Sequence, residues 1–208
     1  MRPLTSDLLL RAYAMGIFPM ARSRHDPRLY WVDPDQRGIL PLDRFHVPRS
    51  LKKVLRRDPF EVRCDHAFEA VMRGCAEAAP ARPDTWINDE IIRLFVELHR
   101  LGMAHSVETW IGDRLMGGLY GLGLGSAFFG ESMFSRVPEA SKVALVHLVA
   151  RLKHSGYQLL DTQFVTEHLA HFGACEISRQ DYLHLLARAI DTPAGFHRGA
   201  VPWEEALS

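Results

Sequence analysis

Residues 104–163 restrict the fold more than any other part of the chain. Apolar and polar residues alternate through the first half, and turn residues break the alternation at Gly112-Asp113 and again at 123–126. A period of two interrupted in this way predicts three short antiparallel strands joined by tight connections. Along the third, Phe128-Phe129-Gly130-Glu131-Ser132-Met133-Phe134, alternation predicts Phe129, Glu131 and Met133 on one face and Phe128, Ser132 and Phe134 on the other. One acid is thereby set among large apolar side chains. Pro138-Glu139-Ala140-Ser141-Lys142 then opens a helix that continues to about Lys153. Tyr157-Gln158-Leu159-Leu160-Asp161-Thr162-Gln163 reads as a buried strand that ends in polar side chains.

Upstream, Thr5-Ser6-Asp7 supplies a cap and a first-turn acid for a short helix closed by Gly16, and Pro19 holds Ile17-Phe18 extended. Leu29-Tyr30-Trp31-Val32 and Gly38-Ile39-Leu40 are expected as strands around an Asp33-Pro34-Asp35 turn. These elements predict a small N-terminal α/β domain over residues 1–45, with a larger domain over 46–208 that begins on a basic helix. In that helix Arg49, Lys52, Lys53, Arg56 and Arg57 fall at i, i+3, i+4, i+7 and i+8, opposite Leu51, Val54 and Leu55. No acid interrupts the stripe before Asp58, so it suits phosphate contacts as well as it suits a solvated helix face.

Residues 66–79 have helical spacing and end at Pro80-Ala81-Arg82-Pro83, and Asn88 caps a second helix that stops at Gly102. Trp86 stands just before that cap, where a packing anchor is the commoner role. Residues 165–172 predict a short helix, Ser178-Arg179-Gln180-Asp181 starts a last one, and the tail beyond Pro193 is expected to be loosely structured. The order of elements indicates an α+β fold around a mainly antiparallel sheet.

Several function classes can be set aside. Lys and Arg balance Asp and Glu at 25 each, so a polyanion partner would have to be held by a local patch. Cys64, Cys75 and Cys175 are few and far apart, which argues against a disulfide framework or zinc ribbon and fits a reducing cytoplasm. No run approaches the roughly 20 apolar residues of a bilayer span. The glycines at 117, 118, 121, 123 and 125 lie in strand text and do not lead into a helix, so a dinucleotide loop fails on context. Gly130-Glu131-Ser132-Met133-Phe134 begins like a nucleophile elbow but lacks its last glycine, which leaves Ser132 a structural residue. His168 and His171 near Cys175 lack the further ligand that zinc needs, and no metal is expected.

Asp161 and Gln163, at i and i+2, are expected on one strand face. One reading is an end-of-strand pair bonded to neighbouring backbone. The other joins them to Glu131 on a neighbouring strand as groups that hold an ammonium and help it lose its proton, since an α-amine of pKa about 8 attacks only when neutral. The second reading predicts acyl transfer to an amine.

The chain as a whole resembles the bacterial leucyl/phenylalanyl-tRNA–protein transferases. The resemblance is carried by Tyr13-Ala14-Met15-Gly16-Ile17-Phe18-Pro19, Trp31-Val32-Asp33-Pro34, Pro48-Arg49-Ser50, Thr85-Trp86-Ile87, Ala104-His105-Ser106-Val107-Glu108, Gly117-Gly118-Leu119-Tyr120-Gly121, Phe129-Gly130-Glu131-Ser132-Met133-Phe134-Ser135-Arg136, Ala140-Ser141-Lys142, Leu160-Asp161-Thr162-Gln163 and Gly173-Ala174-Cys175-Glu176-Ile177. It implies an acetyltransferase-like (GNAT) main domain and an enzyme without metal or nucleotide cofactor. Such an enzyme acts as a cytoplasmic monomer and moves leucine or phenylalanine, with methionine a further candidate, from tRNA to proteins with N-terminal Arg or Lys, marking them for N-end rule degradation.

By the same resemblance, Asp161 and Gln163 activate the acceptor amine and Glu131 helps to hold the basic residue. Leu119, Phe128 and Leu148, with Ser135 close by, form the amino-acid pocket, and Trp86 stacks on the terminal adenine. The stripe from Arg49 to Arg57 meets tRNA phosphates. Met20 stands where relatives often have a second tryptophan, and relatives often carry an extension before the first helix whose contacts are not expected here. A coenzyme A-dependent N-acetyltransferase is the alternative enzyme. It is disfavoured because Arg136-Val137-Pro138-Glu139-Ala140-Ser141 has no glycine and puts a carboxylate where pyrophosphate would sit. A non-catalytic RNA-binding module would use the basic stripe and leave Glu131, Asp161 and Gln163 without a task.

Overall fold

A computed structural model describes residues 4–78 and 84–208. The chain opens with α1 (Ser6–Ala14), whose cap Thr5 accepts a hydrogen bond from the Leu8 amide at 3.2 Å. There follow β1 (Phe18–Ala21), β2 (Leu29–Val32), β3 (Gln36–Ile39), α2 (Arg49–Arg57), β4 (Glu61–Cys64), α3 (Phe68–Ala76) and α4 (Asp89–Arg100). The central stretch gives β5 (Ala104–Ile111), β6 (Arg114–Leu124), β7 (Ala127–Ser135), α5 (Ala140–His154) and β8 (Leu159–Gln163), and the chain continues through α6 (Glu167–Ala170), β9 (Cys175–Ser178) and α7 (Arg179–Asp191). The Pro80-Ala81-Arg82-Pro83 loop lies outside the described residues, and α3 ends earlier than its expected end at Ala79, at Ala76, where Glu77 turns extended.

The fold is α+β. Seven strands form one sheet in the order β4-β5-β6-β7-β8-β3-β9, and β1 and β2 make a separate two-stranded ribbon. Every described pair is antiparallel except β7 with β8, which α5 connects. The strands expected to flank Asp33-Pro34-Asp35 go to different sheets. β2 pairs with β1, whereas β3 enters the large sheet between β8 and β9, so part of the 1–45 segment is hydrogen-bonded into the main body. Gly38 makes this insertion possible: a Cβ there would lie 2.5 Å from the Phe164 carbonyl carbon, so a side chain would push away the backbone that follows β8.

Helices cover both faces of the sheet. On one, α1, α3, α4 and α7 bury Tyr13, Phe68, Phe95 and Leu186 against Tyr120, Leu122 and Phe129. On the other, α5 and the apolar side of α2 bury Leu51, Leu55, Leu145 and Leu148 against Val107, Leu119, Phe128 and Leu160. Burial runs around most of α5, as in a helix covered on two sides. The second cover is the C-terminal tail, which is packed and not loose. Val201 and Ala206 are buried, Phe196 stacks on His105 with ring centroids 4.3 Å apart, and Arg198 Nε lies 2.7 Å from Asp65 Oδ2. Among the described residues no helix is long and apolar enough to cross a membrane.

Candidate active site

The parallel pair in the sheet stops early. β7 and β8 are paired from Ala127↔Leu159 to Phe129↔Asp161. Beyond that point each strand becomes irregular. On β7, Gly130 pairs with Gly121 and Ser132 with Tyr120, which leaves Glu131 as an extra residue, a β-bulge. A Cβ on Gly121 would overlap the Phe129 carbonyl oxygen, so the bulge needs glycine opposite it. On β8, Thr162 is the extra residue against β3, and Gln163 takes a left-handed φ of +58°.

The bulge corrects the expected alternation along β7. Phe129 and Phe134 end in the core under α3 and α4, while Phe128 and Met133 belong to the core under α5. Asp161 and Gln163 likewise do not share a regular strand face. The carboxylate instead caps its neighbour, Oδ1 accepting from the Gln163 amide at 2.8 Å.

A cavity of about 320 Å³ fills the opening between the diverging strands. Six of the residues singled out from the sequence line it: Met20, Trp86, Leu119, Leu148, Glu131 and Gln163. Phe18, Phe164, Leu145 and Leu160 extend its apolar wall, and Thr162 and His168 add polar groups. Three expected residues stand outside the lining. Phe128 is fully buried and packs on Tyr157 and Phe196, with centroids 6.1 and 5.8 Å away. Ser135 donates to Ser141 Oγ at 2.8 Å and accepts from the Ser141 amide, fixing the start of α5. Asp161 is fully buried behind the cavity.

Behind the wall is a polar network that the sequence did not reveal. Arg37 from β3 grips Asp161, with Nη2 2.6 Å from Oδ2 and Nε 3.0 Å from Oδ1. Its Nη1 donates to the Gly16 carbonyl at 2.7 Å, and the guanidinium lies between the rings of Phe18 and Tyr182, 4.6 and 4.4 Å from their centroids. Tyr182 from α7 donates to Asp161 Oδ2 at 2.6 Å. Tyr13 from α1 donates to Glu131 Oε1 at 2.8 Å, and Gln163 Nε2 reaches the same oxygen at 3.3 Å. Burial and the neighbouring carboxylates hold both phenols well above their usual pKa, so each is a neutral donor.

Burial also pushes the Glu131 carboxyl up to about 8. The Tyr13 hydrogen bond and the Arg37 charge pull it down, while the Asp161 charge pushes it further up. The one hint of Arg37 in the sequence is a basic residue at the edge of the expected strand Gly38-Ile39-Leu40, where a charge that becomes buried must find a partner.

On α2, Arg49, Lys53, Arg56 and Arg57 are exposed and Lys52 is half-buried, while Leu51 and Leu55 anchor the helix to the core. Among the described residues none of the five cations has an acidic partner. Pro48, Ser50 and Leu51, at the start of α2, line a cleft of about 430 Å³ that shares His168 with the cavity.

A family model described as leucyl/phenylalanyl-tRNA protein transferase matches residues 39–187, and one described as the N-terminal domain of that protein matches 2–35. A leucyl/phenylalanyl-tRNA–protein transferase of Paramagnetospirillum magneticum is 69% identical over 208 residues, 100% of both chains. Its namesake from Maricaulis maris is 59% identical over 94% of this chain and 91% of its own, and that from Caulobacter vibrioides is 58% identical over 93% and 89%. The chain belongs to the leucyl/phenylalanyl-tRNA–protein transferase family.

Proposed function

We propose that this chain transfers an aminoacyl group, leucyl or phenylalanyl, from the 3′ end of tRNA to the α-amine of proteins that begin with Arg or Lys, marking them for N-end rule degradation. One observation carries the reading: Glu131 and Gln163 share a cavity with the apolar walls of Leu119 and Leu148 and with Trp86. An apolar side chain, an aromatic base and an amine can thus meet at one point. The ester of a charged tRNA is already activated, so the protein contributes mainly orientation and electrostatics. No step calls for a cofactor.

In this reading Leu119 and Leu148, with Leu145 and Leu160, take the amino acid, and Trp86 and Met20 receive the terminal adenine. Asp161 acts through its hold on Gln163, which orients the acceptor amine. The unpaired charges of α2 meet phosphates and do not read sequence. The chain works as a monomer in the cytoplasm, where charged tRNA is available. The acetyltransferase-like description of the main domain is supported by the parallel pair β7 and β8, joined through α5, whose divergence opens the cavity.

The coenzyme A alternative has less support. Glu139, at the start of α5, carries its carboxylate 2.8 Å from Lys142 Nζ, which neutralises the cation a pyrophosphate would need. The test is transfer of labelled phenylalanine or leucine from charged tRNA to two peptides that differ only in an N-terminal Arg or Ala, with acetyl-coenzyme A as a parallel donor. Transfer from tRNA to the Arg peptide alone is expected. Acetylation without transfer from tRNA would overturn the reading.

A further inference from the structure

We propose that Glu131, and not Asp161, carries the proton during transfer, with Tyr13 and Gln163 as the positioning residues that aim it. The inference rests on the aminoacyl-transfer reading above and assigns a role within it. It begins with the oxygens. Asp161 Oδ1 accepts from Arg37 Nε at 3.0 Å and from the Gln163 amide at 2.8 Å, and Oδ2 accepts from Arg37 Nη2 at 2.6 Å and Tyr182 Oη at 2.6 Å. A carboxylate offers about four lone-pair sites, and here all are taken. Asp161 is also fully buried and off the cavity wall. To take a proton it would have to give up a buried guanidinium, and breaking such a pair is costly.

Glu131 is placed the opposite way. It lines the cavity, its Oε1 is held by Tyr13 and Gln163, and among the described residues its Oε2 has no partner. One oxygen is fixed and the other is free at the place where the amine must arrive. The groups that face it are Tyr13 from α1, Arg37 from β3, Tyr120 from β6, Asp161 from β8, Tyr182 from α7 and, across the cavity, His168 from α6. Their balance with burial places its carboxyl at about 8, close to the α-amine at about 8, and a matched pair exchanges a proton most readily near working pH.

The step balances without any further reactant. The neutral acceptor amine attacks the ester carbonyl carbon, forming the N–C bond, and the bond from that carbon to the ribose oxygen breaks. Glu131 Oε2 takes the proton the nitrogen must lose and hands it to the departing ribose oxygen. The products are the amide and a free hydroxyl, with Glu131 again a carboxylate.

The experiment measures the single-turnover rate of labelled phenylalanine transfer from charged tRNA to a saturating Arg-initiated peptide, from pH 6 to 9.5, for the wild type, Glu131→Gln and Tyr13→Phe. The wild type should rise with pH along a steep limb to which both the peptide amine and Glu131 contribute. Glu131→Gln should lose about 100-fold or more of the rate and keep only the shallower limb of the peptide amine. Tyr13→Phe removes a hydrogen bond that stabilises the carboxylate, so its limb should move to higher pH; the titration of the peptide amine does not change. If Glu131→Gln keeps rate and limb and only raises KM for the Arg peptide, Glu131 merely holds the basic side chain and the proposal is overturned. If Glu131→Gln fails to fold, Tyr13→Phe decides, and an unmoved limb sinks the idea. Absence of transfer in the wild type would instead reject the aminoacyl-transfer reading itself.

Discussion

Arg37 and Asp161, 124 positions apart, form a two-pronged ion pair with side chains 1% and 0% exposed. It ties β3, near the N-terminus, to the strand that ends in Gln163. Removing one partner leaves the other charge buried, which costs about 3–5 kcal/mol. Arg37→Met should therefore lose about that much in urea unfolding, and Arg37→Lys should recover little of it, because an ammonium cannot grip both oxygens in a plane. Adding Asp161→Asn to Arg37→Met should restore part of the loss. A strictly additive double variant would show that the two side chains do not act as a pair.

Trp86 and Met20 share the cavity wall with the apolar pocket. Stacking of a base on an aromatic ring is worth about 1–3 kcal/mol, so Trp86→Ala should raise KM for charged tRNA by roughly 5- to 150-fold. The rate at saturation should change far less. Met20→Trp should act in the other direction, since a thioether lies against a purine but stacks less well. An unchanged KM in both variants would remove the adenine from this part of the cavity.

The physical reason that some of this was legible in the sequence and some was not lies in range. The strands β5, β6 and β7 follow from local alternation, and Glu131, Asp161, Gln163 and Trp86 lie in long distinctive strings. Arg37 does not announce itself, because its partner is far along the chain and Gln36-Arg37-Gly38 carries no periodicity. The strands β4 and β9 have four residues each, too few for a pattern of two to stand out. The bulges at Glu131 and Thr162 decide which way the catalytic candidates face, and a bulge depends on its partner strand, which alternation along one strand cannot report. The ordered tail does carry a signal in the sequence. Val143-Ala144-Leu145-Val146 and Leu148-Val149-Ala150 leave α5 apolar almost all round, and such a helix requires a second cover.

The basic stripe of α2 separates two readings by salt. Arg56 and Arg57 are exposed and have no acidic partner among the described residues, so Arg56→Glu with Arg57→Glu should change stability by no more than about 0.5 kcal/mol each. If they neutralise phosphates, tRNA binding should weaken, and the slope of log affinity against log salt should flatten by about 0.7–0.9 for each phosphate that is no longer neutralised. Binding and slope both unchanged would make the stripe a solvated helix face.

The raised Glu131 carboxyl also predicts how stability should depend on pH. Its folded value of about 8 lies above the ordinary 4.5, so between those values the folded chain holds a proton that the unfolded chain has released. Stability from this group is full below about 4.5 and is lost as pH rises through about 8. Glu131→Gln keeps an acceptor for the Tyr13 hydroxyl but can never carry the charge. Its melting temperature should therefore exceed that of the wild type at pH 8.5 and approach it at pH 5. In a domain of this size each kcal/mol appears as about 2–4 °C. A difference that is the same at both pH values would mean that Glu131 is no harder to ionise when folded than when unfolded, and the pH at which the site works would then have to come from the acceptor amine alone. The expected result makes the enzyme least stable where Glu131 is ionised, because the charge that takes the proton is the same charge the fold must bury.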